Sequence, residues 1–334
     1  TKSPTLGFFP TWVSLLAPYY EHVEVICLKE GAHTLPGNVR VHSLGKERGS
    51  ALSIVYAVRF KWLAWKLRRD YDAVFVHMNQ EYILIAGSMW KLLGKRIYMW
   101  RNHYAGSWLT DIAAAFCAKV FCTSKHSYTA KYKKTVLMPV GVDTSRFLIE
   151  ASVVRVPRSI LFLARIAPSK RAEMLIEALA LLHKEGEAFQ ASIYGSPTVS
   201  DEDYYEGLKV RVQELGLTEH ITFYPGPLSL ESPAIYQAHE VFVNCSPSGM
   251  YDKTLFEAAA CGCLVLASSE DFKKLNDDGS YFTNVIELSF ALTKVLNLSV
   301  QQMEERTALL RTVSRSNSLS SLCLSLSKHM DSPS

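Results

Sequence analysis

Short apolar runs alternate with helical patterns along almost the whole chain, and this alternation narrows the choice of fold more than any other feature. In the first half, residues 23–28 (VEVICL), 39–42, 73–77 (AVFVH), 96–100 (RIYMW), 120–123 and 135–138 read as strands, with helical periodicity at 52–69 and 82–93. The second half repeats the theme. Strands at 159–165 (SILFLAR), 190–194, 221–224, 241–245 and 264–267 are separated by helices at 171–184, 204–215 and 253–261. Short apolar strands joined through helices form parallel sheets covered on both faces. Two such series predict an α/β chain of two doubly wound, Rossmann-like domains facing a cleft. Polar and β-branched residues precede Pro157 near 147–157 and mark the boundary. Residues 1–150 are then the first domain, 151–315 the second, and 316–334 a C-terminal helix and tail. Leu319, Leu322, Leu324 and Leu326 suggest that the last helix returns to the first domain, with fraying beyond about Lys328.

The chain has 334 residues, 48% apolar and 20% charged, which suits two globular domains. No apolar run approaches the roughly 20 residues of a membrane span, and no secretory signal follows Thr1. Seven scattered cysteines without a CxxC pair suit a reduced, cytoplasmic protein. Charge is unevenly placed. Residues 1–150 hold 20 Lys and Arg against 10 Asp and Glu, a net +10, and the remainder holds 16 against 22, a net −6. The basic half is expected to meet something anionic, a membrane surface or a nucleic acid. A doubly wound domain normally opens on a central strand, a glycine turn and a helix. Gly7 precedes a helix starting near Pro10, where proline suits a first turn, but no strand of useful length comes before it. The expectation is therefore a chain lacking its first central strand, the alternative being a genuinely short terminus.

Ligands of doubly wound domains bind beyond the C-terminal ends of the strands, where helix N-termini face anions. Two segments of the second half sit there. In Ala164-Arg165-Ile-Ala-Pro168-Ser-Lys170-Arg171, the Arg165 guanidinium and the Lys170 ammonium would converge near a helix start, a geometry that suits a diphosphate. The alternative is a solvated basic loop. In Ser246-Pro-Ser-Gly249-Met250-Tyr251-Asp252-Lys253, small residues let the backbone approach a ligand. Glu257, one turn further on, offers a carboxylate to a sugar diol, and Gly262 ends the helix. An exposed helix carboxylate is the plainer reading of Glu257. Asp201-Glu-Asp203 is formally a D-x-D motif but stands at a helix start, where acids are favoured, so no metal is expected. No HExxH, Walker A, GxGxxG, G-x-S-x-G or zinc-type spacing occurs, which weakens protease, ATPase, dehydrogenase and hydrolase readings.

Together these segments resemble the C-terminal domain of the GT-B glycosyltransferases, specifically the retaining family 4 group ("glycosyl transferases group 1"). Tyr194-Gly195-Ser-Pro, the stretch from Gly207-Leu208 through Gly216-Leu217 to Ile221-Thr-Phe-Tyr224-Pro-Gly226, and Val140-Gly141-Val142-Asp143 through Phe147 resemble further family motifs in the correct order. The resemblance implies transfer of a sugar from a nucleotide-sugar donor to a glycan or lipid-linked acceptor in cell-surface polysaccharide or glycolipid synthesis, without metal or cofactor. Arg165 and Lys170 match its R-x4-K diphosphate pair, and Glu257 matches the ribose-binding second glutamate of its E-x7-E motif. Gly7, Gly195, Tyr224 and Gly226 would also flank the donor, the last two beside the base. Gly249 stands where the motif has its first glutamate, inside an S-G-x-x-D-K loop. Asp252, Lys253 and the backbone of Met250 and Tyr251 are the expected substitutes for that carboxylate.

The same resemblance puts the acceptor on the first domain. It implies His103 against the donor sugar, and His77, Asn102 and Arg101 in the acceptor pocket, with Ser124-Lys125-His-Ser127 as a turn of the cleft wall. The basic, aromatic segment 56–69 fits an anionic interface, which would hold the protein at the inner face of the cell membrane. We expect instead that Phe60, Trp62 and Trp65 pack on the sheet. The competing functions are another GT-B activity such as an epimerase or phosphorylase, and a non-catalytic nucleotide-sugar-binding remnant or scaffold favoured by Gly249. Nucleic-acid binding rests on the basic half alone and is not expected.

Overall fold

A computed structural model of the chain describes residues 9–49, 52–249, 253–273 and 279–331. The described residues up to Pro139, with those from Ser320, make one compact unit, and Val140–Leu319 makes the other. The division falls ahead of the compositional shift at 147–157 because the intervening segment is tied into the second unit. The amides of Gly141 and Val142 both donate to Asn317 O at 2.9 Å, and Val142 bridges Ser318.

In chain order the first unit runs α1 (Phe9–Leu16), β1 (Val23–Cys27), β2 (Val39–Ser43), α2 (Ser53–Lys66), β3 (Ala73–His77), α3 (Glu81–Leu92), β4 (Arg96–Trp100), α4 (Trp108–Phe116), β5 (Lys119–Cys122) and β6 (Thr135–Leu137). β3-β4-β5-β6 form a parallel sheet, and β1 and β2 pair separately, also in parallel. The core lies between this sheet and its helices: Ile97, Met99 and Val120 from the strands meet Ile83, Ala86 and Trp90 of α3. α2 carries two apolar stripes. Phe60 and Ala64, four apart, are buried in the core, whereas Trp62 is 57% and Trp65 48% exposed. The expectation that both tryptophans pack on the sheet is therefore wrong. At 100° per residue, they fall on the side of the helix away from Phe60 and Ala64.

The second unit runs β7 (Val156–Leu163), α5 (Ala172–Lys184), β8 (Gln190–Tyr194), α6 (Glu202–Glu214), β9 (Ile221–Tyr224), α7 (Ser232–Ala238), β10 (His239–Asn244), α8 (Lys253–Ala260), β11 (Leu264–Ala267), α9 (Glu270–Lys273), α10 (Val285–Leu296) and α11 (Val300–Ser316). Its five strands are all parallel in the order β11-β10-β7-β8-β9. The chain thus winds outward from β7 to β9, then returns to β7's other side for β10 and β11. Pro157 lies inside β7, tolerated because the β7–β10 register shifts there, with Val156 opposite His239 but Ile160 opposite Val241. α12 (Leu319–Asp331) follows; its residues from Ser320 belong to the first unit, where Tyr98 Oη donates to Met330 O at 2.7 Å. The helix continues to Asp331, past the point where fraying was expected. Among the described residues, no helix is long and apolar enough to cross a membrane.

Candidate nucleotide-sugar site

The strand order of the second unit creates a switch point between β7 and β10. Loops leaving adjacent strands there diverge toward opposite faces of the sheet and leave a crevice at the carboxyl ends. The two segments singled out in the sequence are the loops that leave these two strands.

The loop after β7 is rigid at its base. Ala164 N donates to Tyr194 O at 3.1 Å and Ile166 N to Ser196 O at 3.2 Å, which extends the β7–β8 pairing beyond the strand. Gly195 makes this possible: a Cβ there would stand 2.1 Å from Ala164 O. β7 stops at Leu163, so Arg165 stands in the loop, exposed and without a hydrogen bond or ion pair among the described residues. A single 3-10 turn, Pro168–Lys170, then leads into α5. Lys170 is half-buried, and its Nζ donates to Ser246 Oγ at 3.2 Å. That bond joins the β7 loop to the β10 loop.

Side chains shape the β10 loop. Asn244 Oδ1 accepts from Ser246 N at 2.9 Å, and Asn244 Nδ2 donates to Thr254 Oγ1 at 3.3 Å. Ser268 Oγ donates to Ser246 O at 2.9 Å, and Ser248 Oγ accepts from Glu270 N at 2.9 Å. Gly249 is left-handed at φ +86°, a conformation that suits glycine. Met250, Tyr251 and Asp252, like Gly7, lie outside the described residues.

Lys253 begins α8, and Glu257 follows one turn later, both half-buried. Burial pushes the Glu257 carboxyl above the usual carboxylate range; Lys253 and Arg146 oppose the shift and Asp143 adds to it. Tyr236 Oη, fully buried, donates to Glu257 Oε2 at 3.3 Å. Burial likewise holds the Lys253 ammonium below its ordinary value, against the pull of Glu257 and Asp143. Asp143 and Arg146 are thus electrostatic neighbours of this pair. On β8 and β9, Tyr194 and Tyr224 stack nearly parallel, centroids 4.4 Å apart at 12°, and Gly226 N donates to Ser196 Oγ at 3.0 Å.

In the first unit, the expected acceptor-side residues are engaged locally. His77 packs edge-on to Phe9 and Trp12, at 5.3 and 4.9 Å between centroids, and stacks on Trp100 at 6.2 Å. Arg101 Nε donates to Gln80 Oε1 at 3.0 Å. Asn102 Oδ1 accepts from Thr123 N and Ser127 Oγ, at 3.2 and 2.9 Å, and so holds the Ser124 turn. His103 Nδ1 accepts from Ala105 N at 2.9 Å, which leaves Nε2 without a hydrogen bond among the described residues. Asp201 and Asp203 fall at the start of α6, where Asp201 Oδ2 accepts from Thr198 Oγ1 at 2.5 Å. Among the described residues, no cluster of three or more His, Cys, Asp or Glu could hold a metal ion.

Sequence reasoning passed over Arg171, whose guanidinium reaches both Cys245 O and Ser268 Oγ at 2.6 Å. Its left-handed backbone leaves no mark in the hydrophobic pattern; its only signal was adjacency to Lys170.

Residues 152–278 match the family model "Glycosyl transferases group 1". The D-inositol 3-phosphate glycosyltransferase of Geodermatophilus obscurus is 29% identical over 160 residues, 42% of this chain and 34% of that protein. The GDP-mannose-dependent alpha-(1-6)-phosphatidylinositol monomannoside mannosyltransferase of Mycolicibacterium smegmatis is 30% identical over 147 residues, 39% of this chain and 37% of that one. The chain spans about a third of the length of these curated relatives, 34% and 37%. In structure, it matches Anabaena HepE in complex with UDP and glucose, with a TM-score of 0.78 at 16% identity, over 100% of this chain and 98% of that one. Sucrose-phosphate synthase from Thermosynechococcus elongatus follows at 0.73 and 15%, over 96% and 91%. At these identities the likeness speaks for the fold, which is GT-B.

Proposed function

We propose that the chain is a retaining glycosyltransferase that takes a sugar from a nucleoside-diphosphate donor and passes it to a hydroxyl of a glycan or lipid-linked acceptor in cell-surface polysaccharide or glycolipid synthesis. The observation that carries this reading is the meeting of the β7 and β10 loops at the switch point, tied by Lys170 Nζ to Ser246 Oγ. Arg165, exposed beside it, has no competing partner among the described residues and is available to a phosphate oxygen. In this reading Glu257 accepts from the ribose hydroxyls, and the Tyr194–Tyr224 stack and Gly226 flank the base. The names of the relatives support an inositol-phosphate or lipid-linked acceptor, and HepE's complex with UDP supports a nucleotide donor.

In the reaction, the bond between the anomeric carbon and the diphosphate oxygen breaks, and the acceptor oxygen bonds to that carbon on the same face. The acceptor proton passes to the departing diphosphate. Arg165 and Lys170 stabilise the charge that develops on the leaving group, a role that needs no metal. The second unit alone supplies the donor contacts in this account.

A lipid-linked acceptor is favoured by α2, whose exposed Trp62 and Trp65 stand beside Lys61, Lys66, Arg68 and Arg69. Such a surface suits an anionic bilayer and would place the protein at the inner face of the cell membrane. The test is release of nucleoside diphosphate from UDP-, GDP- and ADP-sugars, with proton NMR of the sugar first released or transferred. One donor is expected to turn over with its anomeric configuration kept. Tight binding with no release from any donor would favour the non-catalytic remnant, and an inverted product would refute the retaining mechanism.

A further inference from the structure

We infer that Arg171 is a positioning residue that clasps the carboxyl ends of β10 and β11 and so fixes both Lys170 and the Ser246 loop in the geometry that receives the diphosphate. The inference rests on the nucleotide-binding reading above. Arg171 adopts φ 51° and ψ 46°, a left-handed backbone that is unfavourable for any residue with a Cβ. Its side chain secures that conformation. Nε donates to Cys245 O at 2.6 Å, at the end of β10, and Nη2 donates to Ser268 Oγ at 2.6 Å, just past β11. Ser268 Oγ in turn donates to Ser246 O at 2.9 Å. Two successive carbonyls of the β10 loop are therefore held from one guanidinium, the first directly and the second through a buried serine.

The consequence reaches the ligand side. With Cys245 O drawn to Arg171, the Ser246 amide faces Asn244 Oδ1, to which it donates at 2.9 Å. Ser246 Oγ is left facing Lys170 Nζ at 3.2 Å. Arg171 is also the residue on which the Pro168–Lys170 turn ends and α5 begins, so its backbone sets where Lys170 points. One side chain thus couples the loops after β7, β10 and β11. The planar fork of arginine can serve two acceptors at once in a fixed geometry, which a lysine ammonium cannot reproduce. Such support is what a phosphate site needs to bind without reorganising.

Arg171→Gly tests this, because glycine adopts the left-handed conformation without penalty and lacks the fork. Isothermal titration of UDP, GDP and ADP into the full chain would be combined with hydrogen exchange of the nucleotide-free protein and with Tm. For whichever diphosphate binds the wild type, R171G is expected to weaken affinity about tenfold or more. Exchange should speed up at the Ser246, Ser248 and Gly249 amides, with Tm changed by only about 3 °C. Arg171→Lys, able to satisfy one acceptor, should fall between the two. R171G with wild-type affinity overturns the inference and leaves the nucleotide reading intact, as does a large drop in Tm with affinity unchanged. A wild type that binds none of the three diphosphates overturns the nucleotide reading, and this role with it.

Discussion

Glu257 occupies a position that penalises its own charge. Burial raises its carboxyl above the ordinary carboxylate value, against the attraction of Lys253 and Arg146. The folded protein then holds this proton more tightly than the unfolded chain, so stability falls as pH rises from about 4.5 through the raised folded value. Glu257→Gln removes the penalty and keeps an acceptor for Tyr236 Oη. We expect its Tm to exceed the wild type's at pH 7.5, with the gap closing toward pH 4. Its affinity for the nucleotide should fall about tenfold to a hundredfold, the usual loss for a charged hydrogen-bonding group. A melting curve in which E257Q is the less stable protein at pH 7.5 would contradict this account. The carboxylate is costly to the fold and is retained, on this reading, for the ligand.

At the scale of elements, the joint between the β7 and β8 loops depends on Gly195. An alanine there would drive Cβ to 2.1 Å from Ala164 O, a backbone atom that can move only by parting the two loops. Gly195→Ala should cost about 3 kcal/mol, or about 6–12 °C of Tm in a unit of this size, read by calorimetry. α2 poses the opposite question, what an outer face is for. Trp62 lies under Lys66 Nζ at 5.1 Å, and Trp65 under the Arg68 guanidinium at 4.3 Å. Flotation with vesicles of phosphatidylserine and phosphatidylcholine should recover the protein, recovery should fall with salt, and Trp62→Ala with Trp65→Ala should abolish it. Flotation indifferent to anionic lipid would remove the membrane from the account. The same elements show how far the sequence could be read. β3, β4, β8, β9 and β11 begin and end where their apolar runs do; β4 and β11 are almost wholly buried, and a strand buried on both faces reads as a near-continuous apolar run. The sides taken by Trp62 and Trp65 were not legible, since a helix with two apolar stripes does not announce which one meets the sheet. α4, α10 and α11 were passed over, although Ser107 with Thr110 and Ser299 with Gln302 form capping boxes that mark two of those starts.

For the molecule as a whole, the second unit was the more legible half. Arg165, Lys170, Ser246 and Glu257 fall on loops and a helix start punctuated by Pro168, Gly249 and Gly262, and these local signals survive in a single sequence. The residues that support them, Arg171, Ser268 and Tyr236, act through contacts between segments 20 or more residues apart in the chain, which no spacing rule reports. The first unit was less legible for a physical reason: His77 ends β3, and Arg101 and Asn102 follow β4, yet aromatic packing, Gln80 and the Ser124 turn take up their polar and ring surfaces. The second unit has its own continuous core, from Val140 to Leu310, and the account assigns it the whole of donor recognition. Titration calorimetry of UDP, GDP and ADP into the full chain and its Lys170→Ala variant tests that assignment most directly. The account predicts that one of the three binds the wild type and that binding is lost in K170A, with the fold intact by circular dichroism. A nucleoside diphosphate that binds K170A as tightly as the wild type, or the failure of all three to bind, would contradict it.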